Sequence, residues 1–444
     1  MKAPLSWLND YVDLGGKSLE EIGITLTMIG LEVEEITLVG LEKPQSKRLQ
    51  NKYSGLSWAK DKFVVAEVLE VRQHPNADKL TLCLLNDGSG REITVLTGAP
   101  NLYPFLDKGR LDKSIKVAYA REGAQLYDGH QPGQILTKLK RVTIRGVESS
   151  SMIASEKELG ISEEHEGVIF LDDDAPVGMP LADYMGDAVF EVAILPNMAR
   201  DASILGIARE LAAAFNLVIK EPAGLLLKQG GEIDEKVDLK IQEPELNPRF
   251  MLGMVESVKA LPSPYWVQRR VSLAGMRPID ALVDATNYTM LETGEPLHAF
   301  DYDLLVRRAG GKPTIITRRA KEGEKLTTLD GHVLSLTNET ELVTDTAGPL
   351  SLAGVMGGLE SGITAQTNRV LLEAANWNFI NIRKTSGRYH INSEASYRFS
   401  RDVHPALAEQ ALALCLRRIQ EWAGGAVVEG VIDQYPLKQV DTAN

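Results

Sequence analysis

The sequence predicts an α+β multidomain protein in which a mixed N-terminal domain carries an inserted β-barrel and a larger α+β domain follows. Three observations predict it. The chain has 444 residues, which at roughly 150 per domain gives about three domains. A block from Phe63 to about Ser151 reads as short strands between turn clusters, while the sequence on either side mixes helix and strand periods. Two strong helical faces, after Ser203 and after Pro405, lie beyond that block. The composition, 44% hydrophobic and 25% charged, is that of an ordinary globular protein, and Gly 38 with Pro 20 excludes collagen-like and disordered classes. No run approaches the ~18 to 20 apolar residues of a membrane span. The N-terminus meets Asp10 before the apolar core of a signal peptide develops. Cys83 and Cys415 are far apart and form no CxxC pair, which argues against a disulfide framework or a zinc site. The expectation is a reduced, cytoplasmic protein.

In chain order, Ser18-Leu19-Glu20-Glu21 fits a capping box opening a helix that Gly30 stops, and Leu31 to Ile36 alternates as a strand. Residues 43–61 are polar and aperiodic and read as an exposed loop. Strands are predicted at Phe63 to Val71, Lys79 to Leu85, Glu92 to Thr97, Lys116 to Ala120 and Thr137 to Ile144. Five short strands in so few residues suit a small closed barrel, of which the OB-fold is the commonest kind that also binds nucleic acid. Ile204, Ile207, Ala208, Leu211, Ala212 and Phe215 fall on one helical face, residues 222–245 read as a connector, and Ala408, Ala411, Leu412, Cys415, Ile419 and Trp422 make the stripe of a last helix closed by Gly424-Gly425. Cys415 on that stripe is expected in the core.

The net charge of −13 does not exclude a nucleic-acid partner, because the charge is uneven. Residues 101–150 carry nine Lys/Arg against five Asp/Glu, while 151–190 carry one lysine against ten acids. Arg72, Lys79, Lys138, Lys140, Arg141 and Arg145 are candidate phosphate contacts on one rim of the barrel, and the bland reading of the His74 to Leu80 segment is a turn. The P-loop, dinucleotide-binding GxGxxG, HExxH and GxSxG motifs are absent. Asp172-Asp173-Asp174 reads as a solvated turn. The glycine-rich Leu352 to Gly358 segment is either a tight turn or backbone brought close to a ligand. His298 is by itself a satisfied structural histidine or a catalyst. Glu373, at the end of an apolar run, is costly to bury unless paired, for example with Arg383 or Arg388, or used.

Taken together, several collinear segments resemble the β subunit of bacterial phenylalanyl-tRNA synthetase, in its N-terminal half. They are Leu5 to Leu8 with Gly30 to Glu34, His74 to Leu80, Ile144 to Ser149 with Met152 to Gly160, Ser203 to Glu210, Asp284 to Tyr288, His298 to Asp301, Leu352 to Gly358 and Ser393 to Phe399. The resemblance implies residues 1–60 as an N-terminal α/β segment, 61–154 as an OB-fold tRNA-binding domain, and 155–200 as a return segment. It implies an editing domain over 201–430 and the start of a linker over 431–444, with family members running to about twice this length. It further implies that aminoacylation belongs to the α subunit of an α2β2 heterotetramer, that ATP and Mg2+ serve the whole complex, and that this chain needs no cofactor and places no metal. This chain would hydrolyse tyrosine wrongly attached to tRNA(Phe). By motif, His298, Thr286 and Asn287 carry the hydrolytic chemistry, while Glu373, Gly354 and Ala395 line the editing pocket. An inactive tRNA- or protein-binding scaffold and a free-standing trans-editing hydrolase are the alternatives.

Overall fold

The computed structural model describes residues 1–45 and 50–438. They form two compact units. The first comprises residues 1–9, 14–193 and 265–275, and the second 10–13, 194–264 and 276–444.

In the first unit, β1 (Lys2–Pro4), β2 (Val33–Gly40), β3 (Tyr53–Ser57) and a later strand, β13 (Asp187–Val192), form a sheet in the order β1-β13-β2-β3. The helix Leu19–Met28 begins as the sequence predicts, with the Ser18 side chain accepting from the Glu21 N–H at 3.1 Å. The box is only half closed, because the Glu21 carboxylate pairs with Lys17 at 3.0 Å. The stretch expected to be a loop contains β3, which runs parallel to β2. Its single fully buried side chain, Leu56, leaves no alternation for a sequence reading to detect.

Between β3 and β13 lies a five-stranded antiparallel sheet. It is built from β4 (Phe63–His74), β5 (Ala77–Asn86), β6 (Glu92–Thr97), β7 (Arg110–Ala120) and, after two hairpins, β12 (Met152–Ile153). Its order is β12-β7-β4-β5-β6. The closed barrel expected from the sequence is not found, because β12 and β6 are not hydrogen-bonded to each other among the described residues. The predicted strand at Thr137 to Ile144 is also divided. β8 (Gln125–Tyr127) pairs with β9 (Leu136–Lys138), and β10 (Val142–Ile144) with β11 (Val147–Ser149). Leu136 and Val142 are exposed, so that stretch has no apolar face to bury in the main sheet, and the two residues of β12 take the fifth place.

The second unit is organised around two sheets. β14 (Asp238–Ile241), β17 (Thr314–Arg319), β20 (Glu341–Thr344), β21 (Pro349–Leu352) and β22 (Met356–Gly357) follow one another in the first. A separate hairpin joins β18 (Lys325–Thr327) and β19 (Val333–Ser335). In the other sheet β16 (Leu297–Asp301), β23 (Arg369–Asn376), β15 (Arg249–Glu256) and β24 (Ala426–Val427) are in that order, with β25 (Ile432–Gln434) also on β15. This sheet is buried on both faces. Met251, Leu372 and Ala374 join one apolar cluster with Ala281, Leu282 and Ala285 of the helix Ala281–Thr293 and with the predicted stripe of the helix Leu407–Ala423. Phe250, Phe300, Leu371 and Ala375 join another with Leu342, Leu350, Leu352 and Trp377. A strand buried on both sides has no polar face, so an ionisable side chain within it must find its partner inside the protein or in a ligand. The helix Ile204–Phe215 starts at Ser203, whose side chain accepts from Gly206 N–H at 3.0 Å. Part of the expected connector is ordered as β14 and a short helix, Ile233–Lys236.

Candidate functional site

Alternation along β23 turns Glu373 toward the same side as Leu371 and Ala375, and alternation along β16 does the same for His298 and Phe300. The ladder register then sets His298 directly opposite Glu373, with Leu252 of β15 on the other flank. Glu373 is buried, and its Oε2 has no hydrogen-bond partner among the described residues. The Nε2 of His298 is likewise enclosed and unpartnered. Its ring meets that of Phe300 edge-on at 4.5 Å between centroids. Burial pushes the Glu373 carboxyl up to about 8 and holds the His298 imidazole down at about 4. At neutral pH the site therefore presents a protonated carboxylic acid beside a neutral imidazole, each able to donate one hydrogen bond and accept another. The alternative partners of Glu373 are excluded. Arg388 binds Glu339, and Arg383 donates to the Ser400 carbonyl at 2.7 Å.

The other predicted pocket residues divide by face. Gly354 has φ +64°, a left-handed conformation that favours glycine. A Cβ there would stand 2.6 Å from Trp377 Cδ1 and 2.8 Å from Ile382 Cδ1, so close packing also requires a glycine. Ala395, in the helix Glu394–Phe399, packs half-buried against the same cluster as Phe300 and Leu371. The Ser393 hydroxyl donates to Val355 O at 2.6 Å and ties that helix to the glycine turn. Thr286 and Asn287 stand instead on the helix whose buried face covers the opposite side of the sheet, and the Thr286 hydroxyl donates to Val283 O of its own helix at 2.8 Å. The structure thus gathers His298, Glu373, Gly354 and Ala395 around one apolar cluster and leaves Thr286 and Asn287 without a hydrogen bond to them.

Two residues escaped the sequence reading. A Cβ on Gly357 would lie 2.6 Å from His298 Cε1, so the second half of the glycine turn is the part that abuts the histidine. Glu295, three residues before His298, is fully buried with both carboxylate oxygens unpartnered among the described residues. Its carboxyl is raised well above the usual range by burial, an effect reinforced by Glu373. The doubled glycine was a visible signal; the burial of Glu295 had none. Among the described residues no group of three or more His, Cys, Asp or Glu side chains is arranged to hold a metal ion. No helix among them is long and apolar enough to cross a membrane.

In the first unit, Arg72 on β4 and Lys79 on β5 flank the turn at 74–77, and the Asn76 side chain donates to Arg145 O at 3.1 Å. Arg145, with φ +50°, sits with Gly146 at the tip of the β10–β11 hairpin. Lys138 lies elsewhere, with its Cε and the Nζ of Lys62 both within 4 Å of where a Cβ on Gly123 would stand. Lys79, Lys138, Lys140 and Arg145 are exposed and make no ion pair among the described residues. Arg72 is held by Glu70 at 2.6 Å, and Arg141 by Glu122 at 3.3 Å and Glu148 at 3.2 Å.

Comparison with known proteins gives the similarities of the chain. A chain from Geobacter sulfurreducens called phenylalanine--tRNA ligase beta subunit is 41% identical over 434 residues, 97% of this chain and 49% of the relative. Over nearly its whole length this chain is similar to the N-terminal half of phenylalanine--tRNA ligase beta subunits. Relatives of the same name from Dehalococcoides mccartyi (strain CBDB1) and Geobacillus kaustophilus are 40% and 37% identical, covering 99% and 98% of this chain and 50% of each relative. The chain thus spans about half the length of the curated relatives it matches. The family model described as "B3/4 domain" matches residues 246–424, and that described as "Putative tRNA binding domain" matches residues 63–180. These intervals contain the His298–Glu373 site and the five-stranded sheet respectively.

Proposed function

We propose that this chain supplies tRNA binding and hydrolytic editing to a phenylalanine--tRNA ligase, removing tyrosine wrongly esterified to tRNA(Phe). The observation that carries the reading is the cross-strand pair His298–Glu373, with an unpartnered polar atom on each residue inside an apolar cluster. A pocket for phenylalanine rejects tyrosine only modestly, because a hydroxyl added to an isostere is worth roughly 10²-fold. The second pocket inverts the preference. The protonated Glu373 carboxyl gains a partner when a phenol hydroxyl enters and stays unpaired when phenylalanine does. Water then adds to the ester carbonyl, and the ribose oxygen of the tRNA leaves with a proton. An imidazole held near 4 is a weak base, so His298 serves this step by orienting the water, and no protein nucleophile is required. Thr286 and Asn287 hold the tRNA terminus in this reading and Ala395 borders the ring, while Gly354 lets the glycine turn pack against Trp377 and Ile382.

In the same reading the exposed cations Lys79, Lys138, Lys140 and Arg145 contact tRNA phosphates, with Arg72 and Arg141 released from their carboxylates to join them, on a domain of the OB type. The α subunit completes an α2β2 assembly in the cytoplasm, where ATP and Mg2+ serve the charging reaction. The test is deacylation of Tyr-tRNA(Phe) and Phe-tRNA(Phe) by the purified chain, with and without the α subunit and a full-length β partner. Selective tyrosine release in either setting is expected. Its absence in both leaves a binding scaffold and refutes the editing role.

A further inference from the structure

We infer that Leu329 is the outer wall of the His298 site and packs against the base of the substrate's 3′-terminal nucleotide; this rests on the reading that the site hydrolyses an aminoacyl-tRNA ester. Leu329 lies in the loop between β18 and β19, and its N–H donates to Gly357 O at 3.0 Å. Its Cδ1 is 2.9 Å from the point where a Cβ on Gly357 would stand, and His298 Cε1 is 2.6 Å from that same point. The leucine and the histidine therefore close on one spot from two directions. The loop is fixed as well as close. Gly331 N–H donates to Thr328 O at 2.8 Å, and the Thr328 hydroxyl donates to His332 O at 3.1 Å.

Exposure orders the three side chains. Glu373 is 6% exposed, His298 is half-buried, and Leu329 is 46% exposed. Covalent structure orders the substrate the same way. With the phenol at Glu373 and the ester at His298, the next group outward is the terminal ribose and its base. An apolar side chain at that rim offers a base face dispersion and hydrophobic contact, which needs no particular base. One side of Leu329 rests on the glycine turn, its Cδ2 3.1 Å from where a Cβ on Gly362 would stand, and the rest of the side chain faces outward.

The experiment measures Tyr-tRNA(Phe) deacylation over a range of tRNA concentrations with the full chain and its Leu329→Ala and Leu329→Met variants. Leu329→Ala is expected to raise KM about tenfold, the scale of losing a leucine's apolar contact surface, while kcat stays within about twofold. Leu329→Met, which keeps the apolar surface, is expected to restore KM, and the preference for tyrosine over phenylalanine is expected to persist in both. An unchanged KM in Leu329→Ala, or a fall confined to kcat, overturns the inference while leaving the editing reading intact. A wild-type chain without selective tyrosine release removes the reading and the inference together.

Discussion

Glu67 and Glu373 are both central-strand glutamates, one in each unit, and their surroundings are opposite. On β4, Glu67 accepts from Lys116 Nζ at 2.6 Å, the Ser114 hydroxyl at 2.8 Å and Asn86 Nδ2 at 2.9 Å. Its carboxyl lies below the ordinary range, chiefly through Lys116. On β23, Glu373 has no such set among the described residues, an Oε2 without a partner among them, and a carboxyl pushed up to about 8 by burial alone. The first carboxylate is complete within the fold. The second keeps an oxygen without a partner among the described residues. A buried acid whose partners are all internal serves the structure, and one left unpaired beside a second unpartnered polar side chain, as Glu373 is beside His298, is a candidate place for a ligand.

The sharpest way to break this contrast is at the residue opposite Glu373. His298→Ala is expected to slow Tyr-tRNA(Phe) release by about 10² or more, measured as single-turnover deacylation with folding checked by circular dichroism. A variant of undiminished rate would return His298 to a structural role. The second effect is on stability. Glu67→Met strands the half-buried Lys116 and is expected to cost about 1–3 kcal/mol in denaturant unfolding, whereas Glu373→Met removes an unsatisfied polar group and is expected to be neutral or stabilising. Equal losses at the two positions would erase the distinction.

The third effect is on pH dependence. The folded Glu373 carboxyl lies near 8, above its unfolded value of 4.5, so the native state holds the proton more tightly. Its contribution to stability is complete below about 4.5 and is lost as pH rises through 8. Glu341, also near 8, adds to the same fall. Glu373→Gln is expected to flatten the decline in unfolding free energy over that window, and an unaltered slope would deny the shift. The smallest effects belong to the first unit. Lys138→Ala and Arg145→Ala are each expected to weaken tRNA binding a few-fold and reduce the salt slope by about 1. Unchanged salt slopes would place the tRNA contacts elsewhere.

Where a structural fact is local, the sequence displays it. Short apolar runs between turn clusters mark β4, β5 and β6, and Ser203 announces its helix by the hydrogen bond it goes on to make. The stripe ending at Trp422 likewise identifies the last helix, and Cys415 is buried on it as expected. Where the fact depends on pairing between distant strands, the sequence is silent. The short β3 is a strand because it runs beside β2, and β12 replaces the expected fifth strand because it pairs with β7. The site follows the same rule. Glu373 was conspicuous as an acid in an apolar run, but its lack of a partner depends on where Arg383 and Arg388 point. Gly357 matters because β22 carries it to His298, which no local pattern encodes.

The central claim is that the Glu373 carboxyl is held unpaired to receive a phenol hydroxyl. Its most direct test is the ratio of Tyr-tRNA(Phe) to Phe-tRNA(Phe) deacylation rates in the wild-type chain and in Glu373→Ala. The wild type is expected to favour tyrosine, and the variant to lose most of that preference, by about tenfold to a hundredfold. An unchanged ratio in Glu373→Ala would contradict the account.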